Sequence, residues 1–156
     1  MRARGFTLIE LVITLAVIGL LASAAMPLAQ VVAKREKEAE LRAALREIRA
    51  AIDAYKLAAD TGHIEKELDK SGYPPDLKSL YVGVRDLGNP KEVNLYFLRR
   101  IPRDPFFPDG NVPAEETWGL RSYESPPDNP QPGDDVYDVH SLAPDKGLNG
   151  VPYREW

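Results

Sequence analysis

The sequence contains no cysteine and only two histidines among its 156 residues. The lack of cysteine excludes disulfides, thiolate catalysis, and zinc or iron–sulfur sites that use cysteine ligands. Two histidines leave little material for an imidazole-based catalytic or metal centre. A net charge of −4, from 20 basic and 24 acidic residues, argues against a protein that grips nucleic acid through phosphate contacts. The length fits one small domain plus one extra element.

Charged side chains are nearly absent from residues 6–33, which carry only Glu10 in a run of leucine, isoleucine, valine and alanine. Residues 11–33 have none, and these 23 residues as a helix reach about 35 Å, enough to cross the hydrocarbon core of a membrane. The run therefore predicts a membrane-spanning helix, with a kink at Pro27. A carboxylate inside such a span costs about 3 kcal/mol at mid-bilayer and normally marks function.

The same N-terminal run also fits a signal anchor or a cleaved signal peptide. Arg2 and Arg4 supply a basic n-region, and Ala22-Ser23-Ala24 offers a signal-peptidase site. Glu10 argues against cleavage at that site, because a charge gains nothing inside a segment destined for removal.

Residues 34–70, in contrast, hold nine basic and nine acidic side chains. Apolar residues recur among them at intervals of four, three, four and three positions, which describes one face of an amphipathic helix. Since only Pro27 interrupts the pattern, one continuous helix is predicted from about Phe6 to about Asp60, with a C-cap near Gly62. The apolar face consists of Leu41, Leu45, Ile48, Ile52 and Tyr55.

Residues 71–156 hold 13 of the 14 prolines, which divide this part into short elements. Asp76 can cap a short helix that ends at Leu80 or Tyr81. Apolar runs between proline and glycine turns predict a small antiparallel sheet, and residues 125–133 are too rich in proline for regular structure. Because the apolar face of the long helix needs a cover, the predicted fold is α+β, with this sheet packed on the helix. The apolar runs are residues 93–98, 118–123 and 136–139.

Residues 4–11, Arg-Gly-Phe-Thr-Leu-Ile-Glu-Leu, resemble the cleavage and methylation motif of type IV prepilins and type II secretion pseudopilins. The resemblance covers about the first 30 residues and includes the helix proline, Pro27. It implies that a dedicated prepilin peptidase and methyltransferase cuts after Gly5 and then methylates the new terminal residue, Phe6.

This resemblance divides the chain into a prepilin leader peptide (1–5), a transmembrane and assembly helix (6–33) and a periplasmic, type IV pilin-like globular domain (34–156). In a bundle of packed helices, the new amine of Phe6 can pair with Glu10 of a neighbouring subunit, where the low dielectric makes the attraction strong. The implied assembly is a helical homo-oligomeric filament. Its other partners are the minor pseudopilins and an inner-membrane assembly platform, and no nucleic acid is expected.

Later segments resemble the major pseudopilin of type II secretion systems. That resemblance implies a structural subunit, not an enzyme, in a periplasmic pseudopilus that supports protein export. A type IV pilus subunit for adhesion, motility or DNA uptake is the alternative, although many pilins close a C-terminal loop with a disulfide that this chain cannot form. A membrane-tethered periplasmic enzyme is the third hypothesis. The matching segments are residues 54–57, 60–62, 73–80, 96–105, 118–123, 138–142 and 156.

The resemblance places the chain in the bacterial inner membrane as a single-pass protein with its C-terminal domain in the periplasm. Lys34, Arg35 and Lys37 after the span outnumber Arg2 and Arg4 before it, and by charge counting this favours the opposite orientation. The motif is the more specific of the two signals, so the periplasmic orientation is predicted.

The C-terminal loop of this family usually binds Ca²⁺ through acidic side chains and carbonyl oxygens. The matching stretch, residues 143–150, keeps Asp145 but places Lys146 beside it and offers few further carboxylates for an ion that takes six to eight oxygen ligands. Calcium at Asp145 is one expectation. The other is a loop closed by the turn at residues 149–150 and by aromatic packing. No other cofactor is expected.

The remaining polar clusters are weak candidates for chemistry. Asp138, His140 and Ser141 are the residue types of a hydrolase triad, but alternation along a strand puts the serine on the opposite face from the other two. Asp134 and Asp135 could hold a cation, but they follow a Pro-Gly pair and are expected to form a solvated turn.

Two further charged features are expected to lie on the surface. His63 belongs to a charged segment and is expected to be exposed. Arg99, Arg100 and Arg103 form a basic cluster suited to ion pairs with the acids of a neighbouring subunit. Such pairs would orient subunits more than hold them, because an exposed pair contributes about 0–1 kcal/mol.

Overall fold

The computed structural model describes residues 7–66, 69–91 and 93–156, which contain two helices, four strands and two short 3-10 turns. The chain divides into two compact units, Met1–Glu36 and Lys37–Trp156. The elements are helix α1 (Leu8–Asp60), helix α2 (Ser79–Val82), strands β1 (Val84–Arg85), β2 (Asn94–Leu95), β3 (Trp118–Arg121) and β4 (Asp138–Ser141), and the 3-10 turns Ala114–Thr117 and Tyr153–Glu155.

The first element, α1, confirms the predicted continuous helix, and its end at Asp60 agrees with the predicted end. It passes through Pro27, which has no N–H to donate to the carbonyl of residue 23. In the first unit every described side chain from residue 7 to residue 33 is exposed. Phe6, where the helix was predicted to start, lies outside the described residues.

Within the second unit, α1 buries the predicted apolar face. Leu41 and Ile48 have no exposed surface, and Tyr55 at the far end of the face is 8% exposed. The same core contains Leu98, which follows β2, and Val139 of β4. The helix and the strands therefore share one apolar core, which confirms the α+β fold.

The C-terminus of α1 ends in a Schellman motif around Gly62. Gly62 has a φ of 79° and donates its N–H to the carbonyl of Ala59 at 3.2 Å. The next N–H, that of His63, bonds the carbonyl of Ala58 at 2.8 Å. Ile64 then turns into the core at 4% exposure. Glycine suits this C-cap because a left-handed φ costs it no steric strain.

The strands form two separate two-stranded antiparallel sheets, β1–β2 and β3–β4, where the sequence predicted a single sheet. The run at residues 93–98 pairs over only two residues, because the N–H groups of Phe97 and Leu98 both bond the carbonyl of Leu80 at 2.9 Å. Strand β1 itself is two residues long and was not predicted, since no period can be read from so short an element.

In the second sheet, β3 begins at Trp118 as predicted, whereas β4 begins two residues later than its apolar run. Val136 donates its N–H to the carbonyl of Pro74 at 2.8 Å, so β4 starts at Asp138. Asp76 lies before α2 and caps its first turn, since Ser79 N–H donates to Asp76 Oδ1 at 2.8 Å. Residues 125–133 contain no helix or strand, as predicted.

Candidate functional site

The N-terminal end of α1 carries the residues that the sequence assigns to processing and assembly. Gly5 and Phe6 lie outside the described residues, so their roles in cleavage and methylation stay predictions. Glu10 lies in the first turn of α1 and is exposed. Its N–H donates to Thr7 Oγ1 at 3.3 Å, while Thr7 N–H donates to Glu10 Oε2 at 3.5 Å. This reciprocal pair is a capping box, which the Thr-x-x-Glu spacing encodes.

The capping box gives Glu10 a structural role within its own chain. Its carboxylate lies beside the first-turn N–H groups that have no partner in the helix, where the helix dipole favours negative charge. The resemblance to prepilins assigned Glu10 to the amine of a neighbouring subunit; this local bond was not predicted, although the Thr-x-x-Glu spacing indicates it. A carboxylate is thus held at the N-terminal end of an otherwise uncharged helical segment.

The helix that follows Glu10 presents a continuous apolar surface. Among the described residues, α1 is the one helix long and apolar enough to cross a membrane, by length and composition. Leu8 is 82% exposed and Leu20 is 72% exposed. Full burial of such a side chain is worth about 1.5–3 kcal/mol, so this surface favours lipid or other apolar helices over water. A kink at Pro27 stays a prediction.

The C-terminal loop contains Asp145, the proposed calcium ligand, whose side chain is exposed. The carbonyl of Asp145 accepts the N–H of Tyr153 at 3.2 Å, and Gly147 N–H bonds the carbonyl of Val151 at 2.8 Å. Across the described part of the chain, no group of three or more Asp, Glu, His or Cys side chains is arranged to hold a metal ion. The turn at residues 149–150 closes the loop, since Gly150 N–H reaches the carbonyl of Gly147 at 2.9 Å.

A buried polar network that the sequence did not reveal surrounds Asp104, which is 1% exposed. Ser141 Oγ donates to Asp104 Oδ2 at 2.6 Å, and Phe106 N–H donates to Asp104 Oδ1 at 2.8 Å. The N–H of Asp104 in turn reaches Thr117 Oγ1 at 3.2 Å. The carboxylate of Asp104 therefore joins β4 to the turn after residue 104, and its backbone N–H joins the same turn to Thr117, the residue before β3. The one local pattern in the sequence at this position is the Asp-Pro dipeptide of residues 104–105, which favours a turn and does not predict a buried carboxylate.

The triad residue types of β4 point to different partners, as strand alternation predicted. Ser141 is buried and faces Asp104, whereas Asp138 accepts a 2.7 Å bond from Arg49 Nε on α1. Burial lowers the pKa of His140, which favours the neutral imidazole. These contacts fix β4 to its neighbours and do not line up a nucleophile, a base and an acid.

The acidic turn after the proline-rich loop is occupied by protein donors. Asp134 accepts from the ammonium of Lys70 at 3.0 Å. Asp135 accepts from the hydroxyl of Ser71 and from the N–H of Tyr123 at 2.8 Å. Asp134 is 86% exposed, which agrees with the predicted solvated turn.

His63 and the basic cluster are at the surface, as expected. The side chain of His63 is 49% exposed, and its Nδ1 lies 2.8 Å from Asp86 Oδ1, a partner that the sequence did not predict. That hydrogen bond holds the pKa of the Asp86 carboxyl below its ordinary value. Arg99 and Arg100 are both exposed, whereas Arg103 bonds the backbone carbonyls of residues 109 and 112.

Comparison with known proteins bears on the N-terminal helix first. The family model described as the prokaryotic N-terminal methylation motif matches residues 1–26. The chain therefore carries a prepilin methylation motif. The match ends one residue before Pro27 and includes the capping box of Thr7 and Glu10. The prepilin motif thus lies within the first unit.

Similarity to a known protein also extends beyond the prepilin motif. The chain is 28% identical over 159 residues to the type II secretion system core protein G of Dickeya chrysanthemi. The match covers 96% of this chain and 95% of that protein, so it includes the second unit. No solved structure matches the chain significantly. The family-model match and the similarity to core protein G confirm the resemblance to prepilins and type II secretion pseudopilins.

Proposed function

We propose that this chain is a structural pseudopilin that polymerises into a periplasmic type II secretion pseudopilus and so supports protein export. The observation that carries this proposal is the N-terminal unit, where a prepilin methylation motif covers the start of an exposed apolar helix whose one charge up to residue 33 is the carboxylate of Glu10 in its first turn. Similarity to core protein G along nearly the whole chain supports the same function. No catalytic residue is assigned.

The proposed mechanism is helix packing after processing. Prepilin peptidase cuts after Gly5, which frees the amine of Phe6, and the same enzyme methylates that amine. In the filament the amine of one subunit pairs with Glu10 of the next, and the pairing offsets the cost of placing a carboxylate among apolar helices. Residues 6–33 then bury one another in the filament core.

The mature N-terminus tests this processing step. The intact mass of the chain purified from membranes is expected to correspond to residues 6–156 plus one methyl group. A Gly5→Leu variant should keep its leader, whereas the matched control Ala24→Leu should be processed normally. A chain cut after Ala24, or left uncut, would instead support the membrane-tethered enzyme.

The role of the Glu10 charge can be separated from its role as a cap. Glu10→Gln keeps an oxygen that can accept the N–H of Thr7 but removes the charge, so we expect normal processing and loss of filaments. Thr7→Val removes the capping hydroxyl and keeps the charge, so filaments should persist. Filament formation by Glu10→Gln at the wild-type level would refute the charge-pairing mechanism.

The proposed location is the bacterial inner membrane, with a single span and the second unit in the periplasm. Protease added to spheroplasts is expected to digest Lys37–Trp156, the second compact unit. A cytoplasmic protein serves as the control for intact membranes. Complete protection of the second unit would contradict the periplasmic orientation and agree with the charge count around the span.

Minor pseudopilins and an inner-membrane assembly platform are the proposed partners, together with other copies of this chain. A type IV pilus subunit remains the competing function, since both classes share the N-terminal motif. Deletion of the chain should abolish secretion of exoproteins and leave surface pili intact. Loss of pili with normal secretion would reverse this choice.

A further inference from the structure

Side chains of α1 hold the segment of residues 143–156. Arg49 Nη2 donates to the carbonyl of Trp156 at 2.7 Å, and the buried contact is made by the carboxylate of Glu38, which is 3% exposed. Its Oε1 accepts two hydrogen bonds from that segment, from Leu148 N–H at 2.7 Å and from the Tyr153 hydroxyl at 3.0 Å. Its Oε2 lies 3.8 Å from a guanidinium nitrogen of Arg42, one turn later in the helix. In the sequence, Glu38 is only one of nine acidic residues in the charged segment of residues 34–70.

Aromatic packing holds the tyrosine donor in place. Tyr153 is fully buried and stacks on Phe106, with ring centroids 4.3 Å apart. Trp156 meets Tyr153 edge to face at 5.0 Å, and the guanidinium of Arg42 lies over the Trp156 ring at 4.2 Å. Burial, and then the bond to Glu38, raise the pKa of Tyr153 far above its ordinary value, so the hydroxyl keeps its proton and donates.

The polarity of this contact is opposite to that of a calcium site. A Ca²⁺ ion gathers six to eight oxygen atoms around a positive centre. Here an N–H and an O–H converge on a negative centre, Glu38 Oε1. The carbonyls of Asp145 and Val151 already accept backbone N–H groups, and Lys146 adds a positive side chain next to the exposed Asp145. The donor set of this loop therefore does not fit a calcium ion.

We infer that Glu38 fixes the C-terminal segment of this chain to α1, and that this segment, for which the sequence resemblance implied calcium, folds without a bound cation. This inference goes beyond the proposed function and does not rest on it. It assigns a positioning role to Glu38, acting through Leu148 and Tyr153.

The first test compares the full chain, in detergent micelles, with Ca²⁺ and with EDTA. Both tryptophans, Trp118 and Trp156, belong to the second unit, so their fluorescence reports its unfolding. We expect the two melting temperatures to agree within about 1 °C. Bound calcium at about 100 times its dissociation constant would raise the melting temperature by several degrees. A rise of that size, removed by Asp145→Asn, would overturn the inference.

The second test removes the charge of Glu38 while keeping its shape. Glu38→Gln should lower the melting temperature by about 5 °C or more, because two hydrogen bonds to a buried charge are weakened. Glu40→Gln makes the same change on the exposed side of α1 and is the matched control. A Glu38→Gln variant as stable as Glu40→Gln would refute the role assigned to Glu38.

A third measurement separates loss of the contact from general destabilisation. Amide hydrogen exchange of residues 145–151 should be roughly tenfold faster in Glu38→Gln, while residues 41–55 keep their protection. Tyr153→Phe removes one donor and retains the ring, and its effect on the melting temperature should be smaller when Glu38→Gln is already present. Additive effects of the two substitutions, or equal loss of protection in both segments, would contradict the inference.

Discussion

Two stretches of α1, residues 8–33 and 37–60, share one backbone conformation but have opposite side-chain environments. In the first, every described side chain is exposed even though nearly all are apolar. In the second, charged residues cover the exposed face, and one apolar face is buried in the core. An apolar sequence can therefore form a helix without being buried by its own chain. The second stretch is covered by its own chain, whereas the first needs lipid or other subunits.

The largest effect is expected when one apolar side chain is truncated in each stretch. Ile48 is fully buried, so Ile48→Ala should lower the free energy of unfolding of the second unit by about 2–5 kcal/mol, because it removes buried surface and leaves a cavity. Leu15 is 61% exposed, so Leu15→Ala should leave that unfolding unchanged and weaken filament assembly instead. Urea titration of the full chain in micelles, followed by tryptophan fluorescence, measures the free energy of unfolding of both variants. Equal destabilisation by the two variants would contradict the division.

A smaller effect is expected from two carboxylates in contrasting positions. Asp104 is buried and accepts two hydrogen bonds, so Asp104→Asn should cost about 1–3 kcal/mol in the same titration. Glu10 is exposed in the first unit, and Glu10→Gln should leave the transition in place. A shift of the transition by Glu10→Gln would show that the N-terminal stretch contributes to the stability of the second unit.

The smallest effect concerns the exposed end of the second stretch. Hydrogen bonds from Lys56 and then Lys66 hold the pKa of Asp60 below its ordinary value. Because the folded pKa is lowered, the resulting stabilisation is present above the unfolded pKa, about 3.9, and is lost as the pH falls through the folded pKa. Lys56→Met should raise the pKa of Asp60 toward its ordinary value in an NMR titration, with little change in unfolding at pH 7. An unchanged Asp60 pKa in that variant would contradict the assignment of its main cause.

Local patterns predicted α1, its apolar face, its end near Gly62 and the exposed proline-rich loop. Periods of three and four residues and a glycine C-cap are properties of neighbouring residues, so they can be read without knowing the rest of the fold. The capping box of Thr7 and Glu10 was equally local and could have been predicted from its spacing. The sheets were harder, because β1 and β2 are two residues long and the residues after β2 bond the carbonyl of Leu80 instead of a strand.

The functional residues also divide into those that local patterns predicted and those that depend on contacts between distant segments. The sequence by itself determined that a prepilin motif over residues 1–26 overlaps a long apolar helical segment, since both are continuous stretches of chain. Only the tertiary structure decided which carboxylates are buried and hydrogen-bonded. Glu38 meets its partners 110 and 115 residues later, and Asp104 meets Ser141 37 residues later. Such contacts depend on how distant segments pack, and burial then makes each hydrogen bond to these carboxylates costly to lose.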